Sequence, residues 1–305
     1  MKEVCMEINL VNLIERYSDD KRCRQYLEAL KWHDGIKCPR CGSEKISRIL
    51  KRDQFDCDQC RYQFSVTAGS IFHDSHLPLW KWFLAVYLMA ESKKGISANQ
   101  VKRSLKISYK TAWYLCHRIR EAMNEVNRSE TKLRGTVEVD ETFVGGHYDK
   151  RRKRATWDKQ PVIGLLQRDG KFEARTIPTR SGRVLVNIVK DRVDKDATIM
   201  TDELPAYRGL NKTFKHKTVH HRIEEWARGD AYTNGVENAW SLFKRSIVGS
   251  YHQVSAKHLD SYLQEFEWRF NGRKNEYLFR DTLIRLLNTP KMEFNKLIEK
   301  SARAS

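Results

Sequence analysis

Two pairs of cysteines constrain this sequence more than any other feature. Cys38 and Cys41 form the first pair, and Cys57 and Cys60 form the second. Each pair makes a tight turn that presents two thiolates, and four thiolates close a tetrahedron around one structural zinc ion. The residues between the pairs suggest two short strands, so the pattern predicts a zinc ribbon over residues 35–70. A module of this size cannot fold without its metal.

The overall charge is the second constraint. The chain has 305 residues and a formal net charge of +18. A protein this basic usually binds a polyanion, most often nucleic acid, although an acidic protein or anionic lipid remains possible. Residues 1–7 mix charges and lack the apolar core of a signal peptide, and the apolar run at residues 77–90 is too short to cross a bilayer. We therefore expect a cytoplasmic, nucleoid-associated protein whose cysteines are reduced.

The segments around the ribbon read as helices. Residues 1–34 form a helical segment with apolar residues at helix spacing from residue 10 onwards. Helices at 77–91, 96–105 and 109–125 predict a helix-turn-helix DNA-binding domain over residues 75–126, with Ser97 and Ser108 as N-caps. Other three-helix domains share this pattern. The candidate DNA-contacting residues of the third helix are Tyr109, Lys110, Trp113 and Arg120.

A strand is expected at residues 136–146, where apolar and β-branched residues alternate with acidic ones before two glycines. Asp140 lies in the middle of this strand, and a buried carboxylate is unfavourable unless it is paired, protonated or bound to metal. Strands are also predicted at 162–166, 172–177 and 197–203, and a helix at 181–192. Asp202 lies at the end of the last strand, a usual place for a metal ligand.

A helix beginning at residue 234 carries the third candidate carboxylate. Asn234, Glu237, Ser241 and Lys244 share one stripe of it. Glu237 can therefore face a metal while Lys244 contacts a phosphate of the DNA backbone. Five consecutive cations at residues 150–154 predict a second phosphate-contacting loop, whose candidate DNA-binding residues are Arg151, Arg152, Lys153 and Arg154.

Three acidic motifs resemble those of DDE transposases of bacterial insertion sequences, in particular the zinc-ribbon group allied to Merlin elements. The matching stretches are residues 137–146, residues 201–203 with Tyr207, and residues 234–238 with Trp240, Ser241, Lys244 and Arg245. The resemblance extends from about residue 30 to residue 285. It implies a multidomain protein with an α/β RNase H-like catalytic core, built on a mixed sheet, over residues 133–290. A polar tail at 291–305 would follow.

The resemblance also implies an activity and partners. The activity is DNA cleavage and strand transfer by in-line phosphoryl transfer, with two Mg²⁺ (or Mn²⁺) ions held by oxygen ligands. Asp140 would bridge both ions, and Asp202 and Glu237 would each complete one side. The partners are double-stranded DNA, as element ends and target, and a homo-oligomer assembled on that DNA.

Several alternatives remain open. Glu138 shares a strand face with Asp140 and competes with it, whereas Glu141 is expected to be a solvated charge. Asn234 competes with Glu237 because some members of the resembled group use asparagine. The charge of two Mg²⁺ ions favours Glu237, and Asn234 is expected to cap the helix. Two other functions are a DNA-binding regulator with an inactive core, and a hydrolytic nuclease that does not join DNA.

Overall fold

The computed structural model describes residues 8–124, 131–145, 159–219 and 232–299, together with the backbone of 148–149 and 154–155. The chain forms two compact units. One contains the residues up to 92, residues 96–123 and the residues from 275 onwards; the other contains residues 93–95 and 124–274. Among the described residues, every helix is too short or too polar to cross a membrane.

The first unit begins with two helices and a small sheet. Helices α1 (Leu10–Arg16) and α2 (Asp20–Lys31) are separate because Asp19 caps α2, its side chain accepting from the backbone N–H of Arg22. Strands β1 (Ile46–Ile49), β2 (Gln54–Cys57) and β3 (Gln63–Phe64) form an antiparallel sheet in that order. Trp32 lies edge-on to Phe55 and Phe64, and these three rings form the small apolar core of the ribbon.

Three helices follow the ribbon at the predicted positions: α3 (Leu79–Ala90), α4 (Ala98–Leu105) and α5 (Tyr109–Met123). Ser97 accepts from the backbone N–H of Gln100, and Ser108 accepts from that of Thr111 at 3.1 Å. Both serines therefore act as the N-caps that the sequence predicted.

The C-terminal residues differ from the sequence prediction. Helix α9 (Leu278–Asn288) belongs to the first unit, not to the catalytic core that was expected to extend to residue 290. Its Phe279 packs against Phe83 with ring centroids 5.7 Å apart. The predicted polar tail also contains a short helix, α10 (Phe294–Ile298), whose Phe294 contacts Tyr114. Apolar residues in both helices, not their sequence position, decide where they pack.

The second unit is built on a five-stranded mixed sheet in the order β10-β9-β4-β7-β8. Its strands are β4 (Thr136–Val144), β7 (Gln160–Gln167), β8 (Phe172–Thr176), β9 (Thr198–Thr201) and β10 (Lys215–Thr218). Strands β4, β7 and β8 form an antiparallel meander, as predicted, whereas β9 and β10 run parallel to β4. Strands β5 (Tyr148–Asp149) and β6 (Arg154–Ala155) form a separate pair.

Each face of the large sheet is covered by helices. Helix α6 (Gly182–Arg192) packs over one face, where Val137 and Val139 of β4 join the apolar core. Helices α7 (Asn234–Ser246) and α8 (Leu259–Asn271) contribute Trp240, Phe243 and Phe266 to the core on the opposite face. Because side chains of a strand alternate between faces, Glu138 and Asp140 point toward the face with α7.

Candidate active site

The register of two parallel strands brings Asp140 and Asp202 together. Glu138 of β4 pairs with Met200 of β9, and both strands run in the same direction. Asp140 lies two residues beyond Glu138 in β4, and Asp202 lies two residues beyond Met200, directly after β9 ends, where its charge acts on Asp140. The Asp202 side chain accepts from the backbone N–H of Leu204 at 3.1 Å, which fixes the turn after β9.

Helix α7 places the third carboxylate beside Asp140. A cleft of about 480 Å³ is lined by Asp140, Thr142, Glu237, Trp240, Ser241, Lys244, Arg245 and Val248. Glu237 Oε1 accepts from the Thr233 hydroxyl at 2.7 Å, so its side chain is held at the start of the helix. Glu237, Ser241 and Lys244 therefore lie on one face of α7, toward the strand that carries Asp140.

The electrostatics of the cleft disfavour an ionised Asp140. Burial, and after it the nearby charges of Glu141, Asp202 and Glu237 in that order of importance, together raise its pKa from 3.8 to about 8. A cation bound beside Asp140 would offset this repulsion and favour its ionised form. Carboxylate oxygens are the donors that Mg²⁺ and Mn²⁺ prefer, so the residues present fit such a cation.

The spacing of the carboxylates differs from that of the cysteines. The oxygens of Asp140, Asp202 and Glu237 do not all lie within 4.8 Å of one another, whereas the four sulfur atoms do.

The four cysteines form a compact metal-binding cluster, as predicted. The Sγ atoms of Cys38 and Cys60 are 3.6 Å apart, and those of Cys41 and Cys57 are also 3.6 Å apart. A tetrahedron with Zn–S bonds of about 2.3 Å has sulfur atoms about 3.8 Å apart. The cluster therefore fits one structural zinc ion, with no position open for a substrate.

Glu138, the competitor of Asp140, has both oxygens occupied. Oε1 accepts from Arg168 Nε at 2.9 Å, and Oε2 accepts from the backbone N–H of Val236 at 3.0 Å. The side chain is 1% exposed. A carboxylate held by a cation and an amide in this way is a poor candidate for a metal ligand.

Glu141 is not the solvated charge that the sequence suggested. Its side chain is buried, accepting from the Tyr207 hydroxyl at 2.6 Å and from Arg180 at 3.1 Å. The sequence reasoning missed Arg180 and did not assign a role to Tyr207. Alternation along β4 was the available signal, because it places Glu141 on the face opposite Asp140.

Asn234 is not the helix cap that was expected. The N-cap position of α7 is Thr233, and Asn234 is the first helical residue. Its side chain is exposed, and Asn234 is absent from the residues that line the cleft. Instead, the carboxylate of Glu138 on β4 accepts from the backbone N–H of Val236 in the first turn of α7.

The candidate DNA-contacting residues of α5 differ in solvent exposure. Tyr109 and Lys110 are exposed, and Lys110 Nζ lies 4.8 Å from the centre of the Phe294 ring. Trp113 is partly buried against His117. Arg120 is 1% exposed, so its side chain is buried in the free protein, and its predicted contact with DNA stays a prediction.

The predicted basic loop at residues 150–154 lies mostly outside the described residues. Residues 150–153 and the side chain of Arg154 lie outside the described residues, so the predicted contacts of Arg151, Arg152, Lys153 and Arg154 stay predictions. Only the backbone of residues 154–155 is described, in β6.

Two known transposase domains match this chain, one in the region of the ribbon and one in the region of the large sheet. Residues 18–63 match a transposase zinc-ribbon domain, and residues 132–271 match an ISXO2-like transposase domain. An uncharacterized protein in transposable element ISH50 of Halobacterium salinarum is 29% identical in an alignment 279 residues long that covers 84% of this chain and 92% of the relative. An uncharacterized transposase-like protein of Haemophilus influenzae is 30% identical over 97 residues, 32% of this chain and 77% of that protein.

The matched residues contain the features built up above. The zinc-ribbon match includes all four cysteines, and the transposase-domain match includes Asp140, Asp202, Glu237 and Lys244. The chain therefore belongs to the IS1595-type family of transposases, with a transposase zinc ribbon and an ISXO2-like transposase domain.

Proposed function

We propose that this protein binds the ends of its mobile element and catalyses Mg²⁺-dependent DNA cleavage and strand transfer. One observation carries the proposal: Asp202 directly follows β9, the strand paired in parallel with β4, close enough for its charge to act on Asp140, and Glu237 lines the same cleft as Asp140. The raised pKa of Asp140 supports a cation at this point. Family membership supports the reaction class.

The topology of the sheet supports an RNase H-like core. Three antiparallel strands, β4, β7 and β8, are followed by β9 and β10, which run parallel to β4 on its other side. This order and these directions are those of an RNase H-like sheet. Here β4 carries Asp140, and Asp202 directly follows the neighbouring strand β9.

Each residue of the cleft has a proposed role. When bound, two Mg²⁺ ions supply the charge that activates the attacking oxygen and stabilises the leaving one. Asp140, Asp202 and Glu237 would hold these ions through their carboxylate oxygens. Lys244 lies two turns beyond Glu237 on the same face of α7, where it would contact a backbone phosphate and orient the scissile strand.

DNA binding is assigned to the first unit. Helices α4 and α5 are joined by the short turn at residues 106–108, which suits a helix-turn-helix, and Tyr109 and Lys110 are exposed at the start of α5. The ribbon adds exposed cations, among them Lys51 and Arg52 at the tip between β1 and β2. The net charge of +18 favours a polyanionic partner. We expect a homo-oligomer to assemble on the element ends.

The test is a joining assay with the zinc-loaded protein, Mg²⁺ and labelled duplexes that carry the DNA flanking its gene. Cleavage followed by joining of the 3′ end to a second duplex is expected, and Asp140→Asn should bind the ends without cutting them. Cleavage without joining would indicate a hydrolytic nuclease. Binding by wild-type protein without any cleavage would indicate a regulator with an inactive core.

A further inference from the structure

A buried carboxylate of strand β4, Glu138, forms a hydrogen bond with the start of helix α7. Glu138 Oε2 accepts from the backbone N–H of Val236, one of the amide groups at the helix start that has no partner within the helix. A carboxylate at this end also interacts favourably with the helix dipole. Val236 directly precedes Glu237 in the chain. The contact therefore lies one residue from a proposed metal ligand and two residues from Asp140.

The close approach of strand and helix depends on a glycine. A Cβ atom at Gly235 would lie 2.7 Å from Glu138 Oε2 and 2.7 Å from a Leu166 methyl group. Any side chain at this position would push the first turn of α7 away from β4. Gly235 thus allows the carboxylate to reach the amide of the next residue.

Arg168 completes the attachment. Its Nε donates to Glu138 Oε1 at 2.9 Å, and an Nη atom donates to the carbonyl of Tyr232 at 2.9 Å. The guanidinium also stacks on the Tyr232 ring, 3.5 Å from its centre. Arg168 follows β7, so the chain entering α7 is held both by the strand that carries Asp140 and by the end of its neighbour.

We propose that Glu138 is a positioning residue, which with Arg168 fixes the start of α7 so that Glu237 is held at the correct distance from Asp140. The inference rests on the proposed metal site. Residues that orient metal ligands typically change metal affinity or activity about 10–100-fold when they are replaced. A role in stability alone would leave the affinity unchanged.

The same unit offers a matched control. Glu173 and Arg192 form another buried pair, at 2.8 Å, between β8 and α6. Glu173 pairs with Leu165 and so lies on the face opposite Glu138 and Asp140. Glu173→Gln breaks a buried carboxylate–guanidinium contact of similar kind without touching α7.

The experiment measures Mn²⁺ binding to the zinc-loaded full chain by the loss of the free Mn²⁺ EPR signal, with Asp140→Asn as the variant that lacks the central ligand. Mn²⁺ prefers oxygen donors and leaves the thiolate site to zinc. Glu138→Gln and Arg168→Gln should each weaken Mn²⁺ binding about tenfold. The double variant should weaken Mn²⁺ binding by less than the product of the two single effects, because both residues act on the same helix start. Hydrogen exchange of residues 234–238 should accelerate in the same variants.

The controls separate the possible outcomes. Glu173→Gln should lower the thermal midpoint and leave Mn²⁺ affinity unchanged. An unchanged affinity in Glu138→Gln with a lower midpoint would reduce Glu138 to a stabilising residue and overturn the proposal. Complete loss of Mn²⁺ binding in Glu138→Gln with normal binding in Arg168→Gln would make Glu138 a ligand, which also overturns the proposal.

If Glu138→Gln does not fold, Arg168→Gln supplies the same test, because the Arg168 side chain is 20% exposed. Absence of Mn²⁺ binding by wild-type protein would instead refute the proposed metal site.

Discussion

Gly164 lies directly opposite Asp140 in the antiparallel pair of β4 and β7. The space above this glycine is filled by Trp240 of α7, since a Cβ atom at position 164 would lie 2.5 Å from the indole ring. Trp240 is buried and lines the same cleft as Asp140 and Glu237. The missing side chain therefore lets α7 pack close to the strand that holds the central carboxylate.

We expect Gly164→Ala to destabilise the protein by about 1–3 kcal/mol, because an added methyl group overpacks the contact with Trp240. It should also slow DNA cleavage, since the displaced helix carries Glu237 and Lys244. Chemical denaturation and a cleavage assay would measure the two effects. Gly249→Ala is the control, because a Cβ atom there meets nothing within 4 Å and both quantities should stay near wild type.

The choice between Asn234 and Glu237 as the third ligand can be tested directly. Glu237→Gln should abolish Mg²⁺-dependent cleavage while binding of the element ends persists, because the first unit, to which we assign DNA binding, does not contain Glu237 and remains folded. Asn234→Ala should change the free energy of unfolding by less than about 0.5 kcal/mol, since Asn234 is exposed and makes no cap. An active Glu237→Gln variant, together with a folded but inactive Asn234→Ala variant, would reverse the assignment.

The pKa of Asp140 predicts that this residue destabilises the metal-free protein at alkaline pH. A carboxyl group whose pKa is raised to about 8 in the folded state, from 3.8, contributes stability below pH 4 that is lost as the pH rises through 8. Asp140→Asn removes this loss. At pH 8.5 without divalent metal, its thermal midpoint should exceed that of wild type by several degrees.

Scanning calorimetry at pH 5 and pH 8.5 would test this expectation. The difference in thermal midpoint between Asp140→Asn and wild type should be smaller at pH 5, where Asp140 is protonated. It should also shrink when Mg²⁺ is added at pH 8.5, because the metal then stabilises only wild type. A lower midpoint for Asp140→Asn at pH 8.5 would contradict the prediction.

The cysteine cluster should contain one zinc ion per chain, and Cys57→Ser should lose it. Cys57 is buried at the end of β2, so loss of the ion should also disrupt the packing of Trp32 on Phe55 and Phe64. Metal analysis and NMR spectra of the ribbon residues would measure both changes. Cys116→Ser is the comparison, because Cys116 lies on α5 outside the cluster, and it should retain the zinc.

The two basic residues of α5 should behave differently. Lys110→Ala should weaken binding to all DNA sequences and reduce the slope of log K against log salt concentration by about one, as expected for one lost phosphate contact. Arg120→Ala should instead destabilise the fold by about 1–3 kcal/mol, because this side chain is buried. Salt titrations of DNA binding and denaturation curves separate the two. An unchanged salt slope in Lys110→Ala would remove Lys110 from the interface.

The sequence alone determined the features that depend on local spacing. The four cysteines form one cluster, the serine caps start α4 and α5, and the meander of β4, β7 and β8 lies where alternation predicted it. These features involve neighbouring residues or a fixed number of ligands around one ion, so a short stretch of sequence contains the information that specifies them.

Only the tertiary structure decided which acidic residues form hydrogen bonds and ion pairs within the protein. Glu138, Asp140 and Glu141 are three acidic residues of one strand, yet only Asp140 faces the cleft without a cationic partner among the described residues. The partners of Glu138 and Glu141 lie between 30 and 98 residues away in the chain. The burial of Arg120 and the packing of α9 also depend on distant residues. Strand register and helix packing bring such residues together, and spacing along the sequence does not encode that proximity.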